Sequence, residues 1–110
     1  MTNPKLFVES TRLLLARGST RATRYAGTNK IVTWAGKPHI VWLNTISDTM
    51  VATYDHAASW SEAVKIGSGY DNHGGPALTC DSQGYLHIFF GPHGQSPFQH
   101  YRFVAPNDST

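Results

Sequence analysis

The sequence predicts an all-β fold built as an antiparallel meander. Three observations carry that reading. From Lys30 onward, short runs rich in Val, Ile, Thr, Phe, Tyr and Trp alternate with Gly, Pro, Asn and Asp turns. The strand starts recur close to every ten residues, the spacing of hairpin-linked strands. A stretch of eight residues also recurs at an offset of 48, so the chain repeats a unit larger than a hairpin.

In order along the chain, residues 1–28 are the least regular. Ser10 or Thr11 is placed to cap a short helix through Arg12–Ala16 that ends at Gly18. Arg12, Arg17, Arg21 and Arg24 cluster there, read as solvated charge on a connector. Strands are expected near 30–35, 39–44, 50–55, 62–66, 76–80, 85–90 and 99–104. Turns are expected at Gly36-Lys37-Pro38, at Ser47-Asp48 and at Asp81-Ser82-Gln83-Gly84. A glycine-rich connection, residues 67–75, separates the fourth strand from the fifth.

The repeat aligns Gly36-Lys37-Pro38-His39-Ile40-Val41-Trp42-Leu43 with Gly84-Tyr85-Leu86-His87-Ile88-Phe89-Phe90-Gly91. Its period fits a four-stranded propeller blade. Residues 53–60, Thr-Tyr-Asp-His-Ala-Ala-Ser-Trp, fit an Asp-box turn with Ala57 where glycine is usual. In that turn Asp55 would accept backbone N–H bonds and Trp60 would pack over it. The expected fold is therefore about two blades of a β-propeller with four-stranded antiparallel blades. Residues 1–28 form a connector, 29–67 a first blade and 68–110 a second, incomplete one. About two blades leave sheet edges and faces open, so the chain is expected to be a fragment from which the remaining blades are missing.

Composition excludes several classes. With 40% hydrophobic and 12% aromatic residues the chain has enough apolar surface to collapse. The longest apolar run is a few residues, far below the roughly 20 of a membrane span. The single cysteine, Cys80, rules out a disulfide scaffold. A net charge of +2 permits an anionic ligand without demanding nucleic acid. Met1-Thr2-Asn3-Pro4-Lys5 does not open a secretory signal, so either the protein is cytoplasmic or its true N-terminus lies upstream.

Of the six histidines, His39 and His87 hold equivalent mid-strand places in the repeat and are read as packing residues. His56 falls in the Asp-box turn, and His100 precedes Tyr101-Arg102 on an expected strand. His73 and His93 differ. Each lies ten residues from Gln83, the centre of the 81–84 turn, so antiparallel pairing places them opposite one another at the open end of the hairpin. Gly74-Gly75-Pro76 follows the first and Gly91-Pro92 precedes the second, which puts both on loops at one rim. Glycines such as Gly74 let a substrate approach closely. Either the two imidazoles form a site there or each hydrogen-bonds loop backbone. Two histidines could hold zinc, but no third ligand has tight spacing, so neither metal nor cofactor is expected.

Asp71-Asn72-His73-Gly74-Gly75-Pro76-Ala77-Leu78-Thr79, with Asp81-Ser82-Gln83-Gly84-Tyr85-Leu86-His87, Gly91-Pro92-His93 and Pro97-Phe98, resembles the BNR-repeat, sialidase-like propeller family that contains ulvan lyases and related polysaccharide lyases. Asn29–Val32, Gly36–His39 and Tyr54–Ala57 are similar too, so the resemblance covers roughly residues 20–110. It implies β-elimination on an acidic polysaccharide, in a groove lined by His73 and His93, and a secreted or periplasmic setting. Residues that complete such sites come from later blades, so this segment alone is expected to be inactive. Gly94 stands where several relatives carry a second histidine.

Elimination at a uronate must neutralise the carboxylate, take the C5 proton and protonate the leaving O4. A neutral imidazole, with an ordinary pKa near 6.5, can do both proton transfers. His73 is the expected base, with His93 orienting it or binding the carboxylate as a cation. Asn72 could donate to the carboxylate or cap its loop, Arg102 could pair with the carboxylate or stand as a surface charge, and Tyr70 and Tyr101 could stack on sugar rings or pack a blade edge. Two alternatives stand beside the lyase. One is a rhamnosidase-like glycoside hydrolase on the same propeller; the other is a non-catalytic carbohydrate-binding protein. With seven Asp and Glu in all, and Asp55 and Asp81 read as turn residues, a two-carboxylate glycosidase is disfavoured.

Overall fold

A computed structural model describes residues 16–24, 27–55, 59–68, 71–91 and 97–109. The expected helix over residues 12–16 lies largely outside the described residues, as do His56, Tyr70 and His93. The described residues form antiparallel strands in two sheets and no helix. Accordingly, no described helix is long and apolar enough to cross a membrane.

The first sheet holds β1 (Ile31–Trp34), β2 (Lys37–Leu43), β3 (Asp48–Asp55), β4 (Ser59–Trp60) and β5 (Val64–Ser68). Strands β1, β2 and β3 run as a meander, and both β4 and β5 pair with β3. The second sheet is the meander β6 (Ala77–Cys80), β7 (Leu86–Phe90) and β8 (Gln99–Arg102). β-Branched and aromatic residues dominate these strands, as pleated, half-buried surfaces favour.

The first hairpin is tighter than its sequence implied. Ala35 and Gly36 form a two-residue loop with φ of 47° and 79°, and Lys37 and Pro38 already belong to β2. Positive φ at both loop residues matches the twist of the flanking strands, and Gly36 takes it without strain. Farther along, Asn44 turns the chain into β3. Its Oδ1 accepts from the backbone N–H groups of Ile46 and Asp48 at 3.0 and 2.9 Å.

One core lies between the sheets. Val41 and Val51 of the first sheet meet Leu78, Leu86, Ile88, Phe90 and Phe103 of the second, with Val32, Val64, Ile66 and Cys80 packed around them. The two copies of the repeat bury opposite alternations. In β2 His39, Val41 and Leu43 are buried on the face toward that core and Trp42 is buried on the other face; in β7 the buried series is Leu86, Ile88 and Phe90. Side chains alternate across a strand, so aligned residues 48 apart face opposite ways relative to the shared core. The first sheet thus presents its front to the back of the second. Strands β1 and β6 are tied at one end, where the Leu78 N–H donates to the Asn29 carbonyl at 2.7 Å and Asn29 Nδ2 donates to the Leu78 carbonyl at 3.0 Å.

Beyond β8 the chain returns to the first sheet. The Phe103 N–H donates to the Leu86 carbonyl and the Asn107 N–H to the Gly84 carbonyl. Asn107 Oδ1 then lies 2.7 Å from His39 Nε2, and the buried Ser109 hydroxyl bonds Thr53 Oγ1. His39 is fully buried, and its Nδ1 is 2.7 Å from Thr53 Oγ1. Burial, foremost, holds the His39 pKa below its ordinary value. Its packing role, read from the repeat, is what the structure shows.

Candidate functional site

The hairpin that carries His73 closes as its turn residues dictate. The Gly84 N–H donates to the Asp81 carbonyl at 3.0 Å, while Asp81 Oδ1 accepts from the N–H groups of Gln83 and Tyr85. Gly84 sits at φ 89°, conformational space open to glycine. The ladder that follows pairs Cys80 with Leu86, Thr79 with His87, Leu78 with Ile88 and Ala77 with Phe89. That is the register centred on Gln83. Past the ladder, the Gly91 N–H donates to the Gly74 carbonyl at 3.3 Å. The residue after His73 therefore touches the residue two before His93.

Residues 71–76 shape the rim on the β6 side. The Asp71 side chain caps its own turn, with Oδ1 accepting from the His73 N–H at 2.7 Å. The Gly74 N–H donates to the Asp71 carbonyl at 3.2 Å. The same Asp71 Oδ1 lies 3.4 Å from His73 Nδ1, and both side chains are about one-third exposed, at 37% and 36%. That sets a carboxylate beside Nδ1 at ion-pair distance rather than in hydrogen-bond geometry. Asn72 Nδ2 donates to Thr20 Oγ1 at 3.3 Å, joining the loop to the segment before β1. Gly74 is buried.

Tyr101 and Arg102 stand elsewhere on the second sheet. Tyr101 pairs with Ile88 and meets Phe103 edge-on, at 5.0 Å between centroids. Arg102 pairs with His87, and its guanidinium lies 4.6 Å over the Tyr85 ring. Arg102 is three residues along β8 from Gln99, which opposes Phe90 at the open end. That spacing is roughly 10 Å of strand. The fold brings Asn72, His73 and Gly74 together and does not gather Arg102 with them.

Two arrangements escaped sequence reasoning. One is the Asp71–His73 contact; its signal was an Asp two residues before a His at the start of a glycine-rich turn. The other is an array on the outer face of the second sheet. Asp81 Oδ2 lies 2.9 Å from His87 Nε2, and His87 Nδ1 lies 2.9 Å from His100 Nε2. His100 stacks on Phe89 at 4.5 Å. The hydrogen bond from His87, foremost, holds the Asp81 carboxyl below the usual carboxylate range. Equivalence to the buried His39 concealed this role, because the alternation of faces turns His87 outward. Among the described residues no three His, Cys, Asp or Glu side chains are placed to hold a metal ion.

Comparison with curated proteins gives consistent matches. The chain is similar to ulvan lyases. It is 36% identical over 70 residues to an ulvan lyase of Alteromonas sp. (strain LOR), and 35% identical over 71 residues to one of Nonlabens ulvanivorans. It is 30% identical over 70 residues to an ulvan lyase of Pseudoalteromonas sp. (strain PLSV). Each match covers 54% of this chain but only 14%, 15% and 14% of the respective relatives. The matched region thus spans about one seventh of the length of those relatives. No protein-family model matches the chain. The matches support a relationship to polysaccharide lyases.

Proposed function

We propose that this chain belongs to a lyase that cleaves uronate-containing, ulvan-like polysaccharide by β-elimination, with His73 and His93 facing one another across the substrate groove. The observation that carries the reading is the β6–β7 register, together with the Gly91–Gly74 hydrogen bond beyond it. Those pairings support the reading by bringing the residue after His73 against Gly91. The similarity to ulvan lyases supplies the substrate class.

In this reading His73 Nε2 takes the C5 proton and returns one to the leaving O4. Asp71, beside Nδ1, stabilises the imidazolium as it forms. His93 binds the uronate carboxylate or orients its partner. Asn72 donates an amide hydrogen to the carboxylate as negative charge moves onto it, and buried Gly74 keeps the loop clear of side chains. Tyr101 and Arg102 serve sugar residues farther along an extended polymer, given their distance from the rim.

The same reading takes residues 29–67 and 68–110 as successive blades of a propeller whose other blades lie outside this segment. The front-to-back stacking supports it. A radial array places each sheet's front on the next sheet's back, which requires the reversed burial of aligned residues in β2 and β7.

The test uses the full-length protein that contains this segment, on ulvan-type polysaccharide. β-Elimination yields an unsaturated uronate that absorbs in the ultraviolet. His73→Ala is expected to abolish that signal while circular dichroism and melting stay as in the parent. Reducing ends without the absorbance mean a hydrolase; binding without product means a carbohydrate-binding protein; undiminished turnover in His73→Ala removes His73 from the chemistry.

A further inference from the structure

We propose that the Lys30 ammonium is a carboxylate-binding group of the same groove. This rests on the acidic-polysaccharide reading above and gives Lys30 a role that its place in the Asn29–Val32 stretch did not assign.

Lys30 directly precedes β1, at the end where Asn29 and Leu78 tie β1 to β6. Its Nζ donates to the Pro76 carbonyl at 2.7 Å and to Thr28 Oγ1. Pro76 closes the loop that carries Asn72, His73 and Gly74, so the ammonium is held directly against that loop. Both acceptors are neutral. An ammonium has three donors, so a third N–H is left for a ligand.

The charge balance at Lys30 is unlike that of the other described lysines. Lys37 lies 3.9 Å from Asp55 and Lys65 lies 3.3 Å from Asp48. Among the described residues no carboxylate stands within ion-pair distance of Lys30. Yet Lys30 is half-buried, and desolvation lowers its pKa. Lys30 also lines an open apolar pocket of about 290 Å³ with Ile31, Ile40 and Trp42. A half-buried cation with no counter-ion among the described residues is unfavourable, and partial burial strengthens its attraction for an incoming anion. A uronate carboxylate meets both needs.

The test compares Lys30→Gln, which keeps an N–H donor for Pro76 but drops the charge, with Lys30→Arg, which keeps the charge. Calorimetric titration uses glucuronate-containing oligosaccharides and the same oligosaccharides with their carboxyls reduced to alcohols. The parent is expected to prefer the acidic probe. Lys30→Gln should weaken acidic-probe binding about tenfold to a hundredfold, leave the reduced probe unchanged, and have its loss largely restored in Lys30→Arg. Equal affinity of Lys30→Gln and parent for the acidic probe overturns the proposal. So does an equal loss for both probes, which would make Lys30 a pin for the loop. If Lys30→Gln fails to fold, the parent and Lys30→Arg decide, since indifference to carboxyl reduction in both overturns it. Missing ultraviolet product in the parent, with acidic-probe binding intact, defeats the lyase reading and leaves Lys30 standing.

Discussion

Thr53→Val isolates the buried polar chain that ties the C-terminal residues to the first sheet. The directions of its hydrogen bonds follow from the chemistry of its members. Asn107 Oδ1 only accepts, so His39 Nε2 carries the ring proton and Nδ1 is bare. Thr53 therefore donates its hydroxyl proton to Nδ1, and the Ser109 hydroxyl donates to Thr53 Oγ1. Valine keeps the shape of threonine and removes that junction. His39 Nδ1 loses its donor and the Ser109 hydroxyl its acceptor, both at sites with no measurable exposure. Each orphaned group costs about 1–3 kcal/mol, so with partial relaxation the loss is about 2–4 kcal/mol. Against a typical domain stability of about 5–15 kcal/mol that is large, and the melting temperature should fall by roughly 10–25 °C. Urea denaturation at neutral pH, followed by tryptophan fluorescence, measures it. A loss below about 0.5 kcal/mol would refute the reasoning, because the network would then contribute nothing beyond shape.

Other perturbations have equally definite outcomes. Because the folded pKa of His39 is depressed, the unfolded chain takes up its proton first. The His39 contribution is then complete above about pH 6.5 and declines as pH falls from there through the folded value, which a series of denaturation curves will trace. A Cβ added at Gly67 would come within 2.5 Å of the Phe90 ring, so Gly67→Ala should cost about 1–3 kcal/mol in the same assay. Ala35→Asn, at φ 47° in a two-residue hairpin loop, should gain about 0.5–1 kcal/mol, seen as a higher melting temperature. Asp71→Asn keeps an acceptor for the His73 N–H but not the charge. In the full-length protein kcat should fall more than KM changes, with the melting temperature held; a purely structural Asp71 would lower the melting temperature and leave kcat in place.

Much of the fold was legible because its determinants are local. Alternation of β-branched and aromatic residues marked nearly every strand, and the Asp81–Gly84 turn fixed the register that aims the two sides of the rim at one another. Local reasoning was weaker where two turn chemistries competed. Gly36-Lys37-Pro38 looked like the turn, but Ala35 and Gly36 suffice, and Pro38 fits the strand. The two-residue β4 was invisible, since Ser59-Trp60 carries no periodic signal and pairs only because β3 offers it an edge. Side-chain facing was the larger gap. His39 and His87 are identical in type and place in the repeat, yet one is fully buried against Thr53 and Asn107 while the other meets Asp81 and His100. What covers each face is a non-local matter that a single copy of the motif does not encode. Asp71 was passed over for the same reason: a turn-capping carboxylate becomes an imidazole partner only once the backbone folds it back on the ring.

The return of the chain from β8 to His39 also bears on the order of assembly. Loop closure between positions 39 and 107 draws together distant parts of the polypeptide, so the imidazole enclosed in the first sheet lacks its last acceptor until nearly the whole segment has left the ribosome. A nascent chain halted after β5 would hold that ring in a half-finished pocket. The two sheets are therefore expected to mature as one cooperative unit, with residues 107–109 sealing a pocket built from residues synthesised before them.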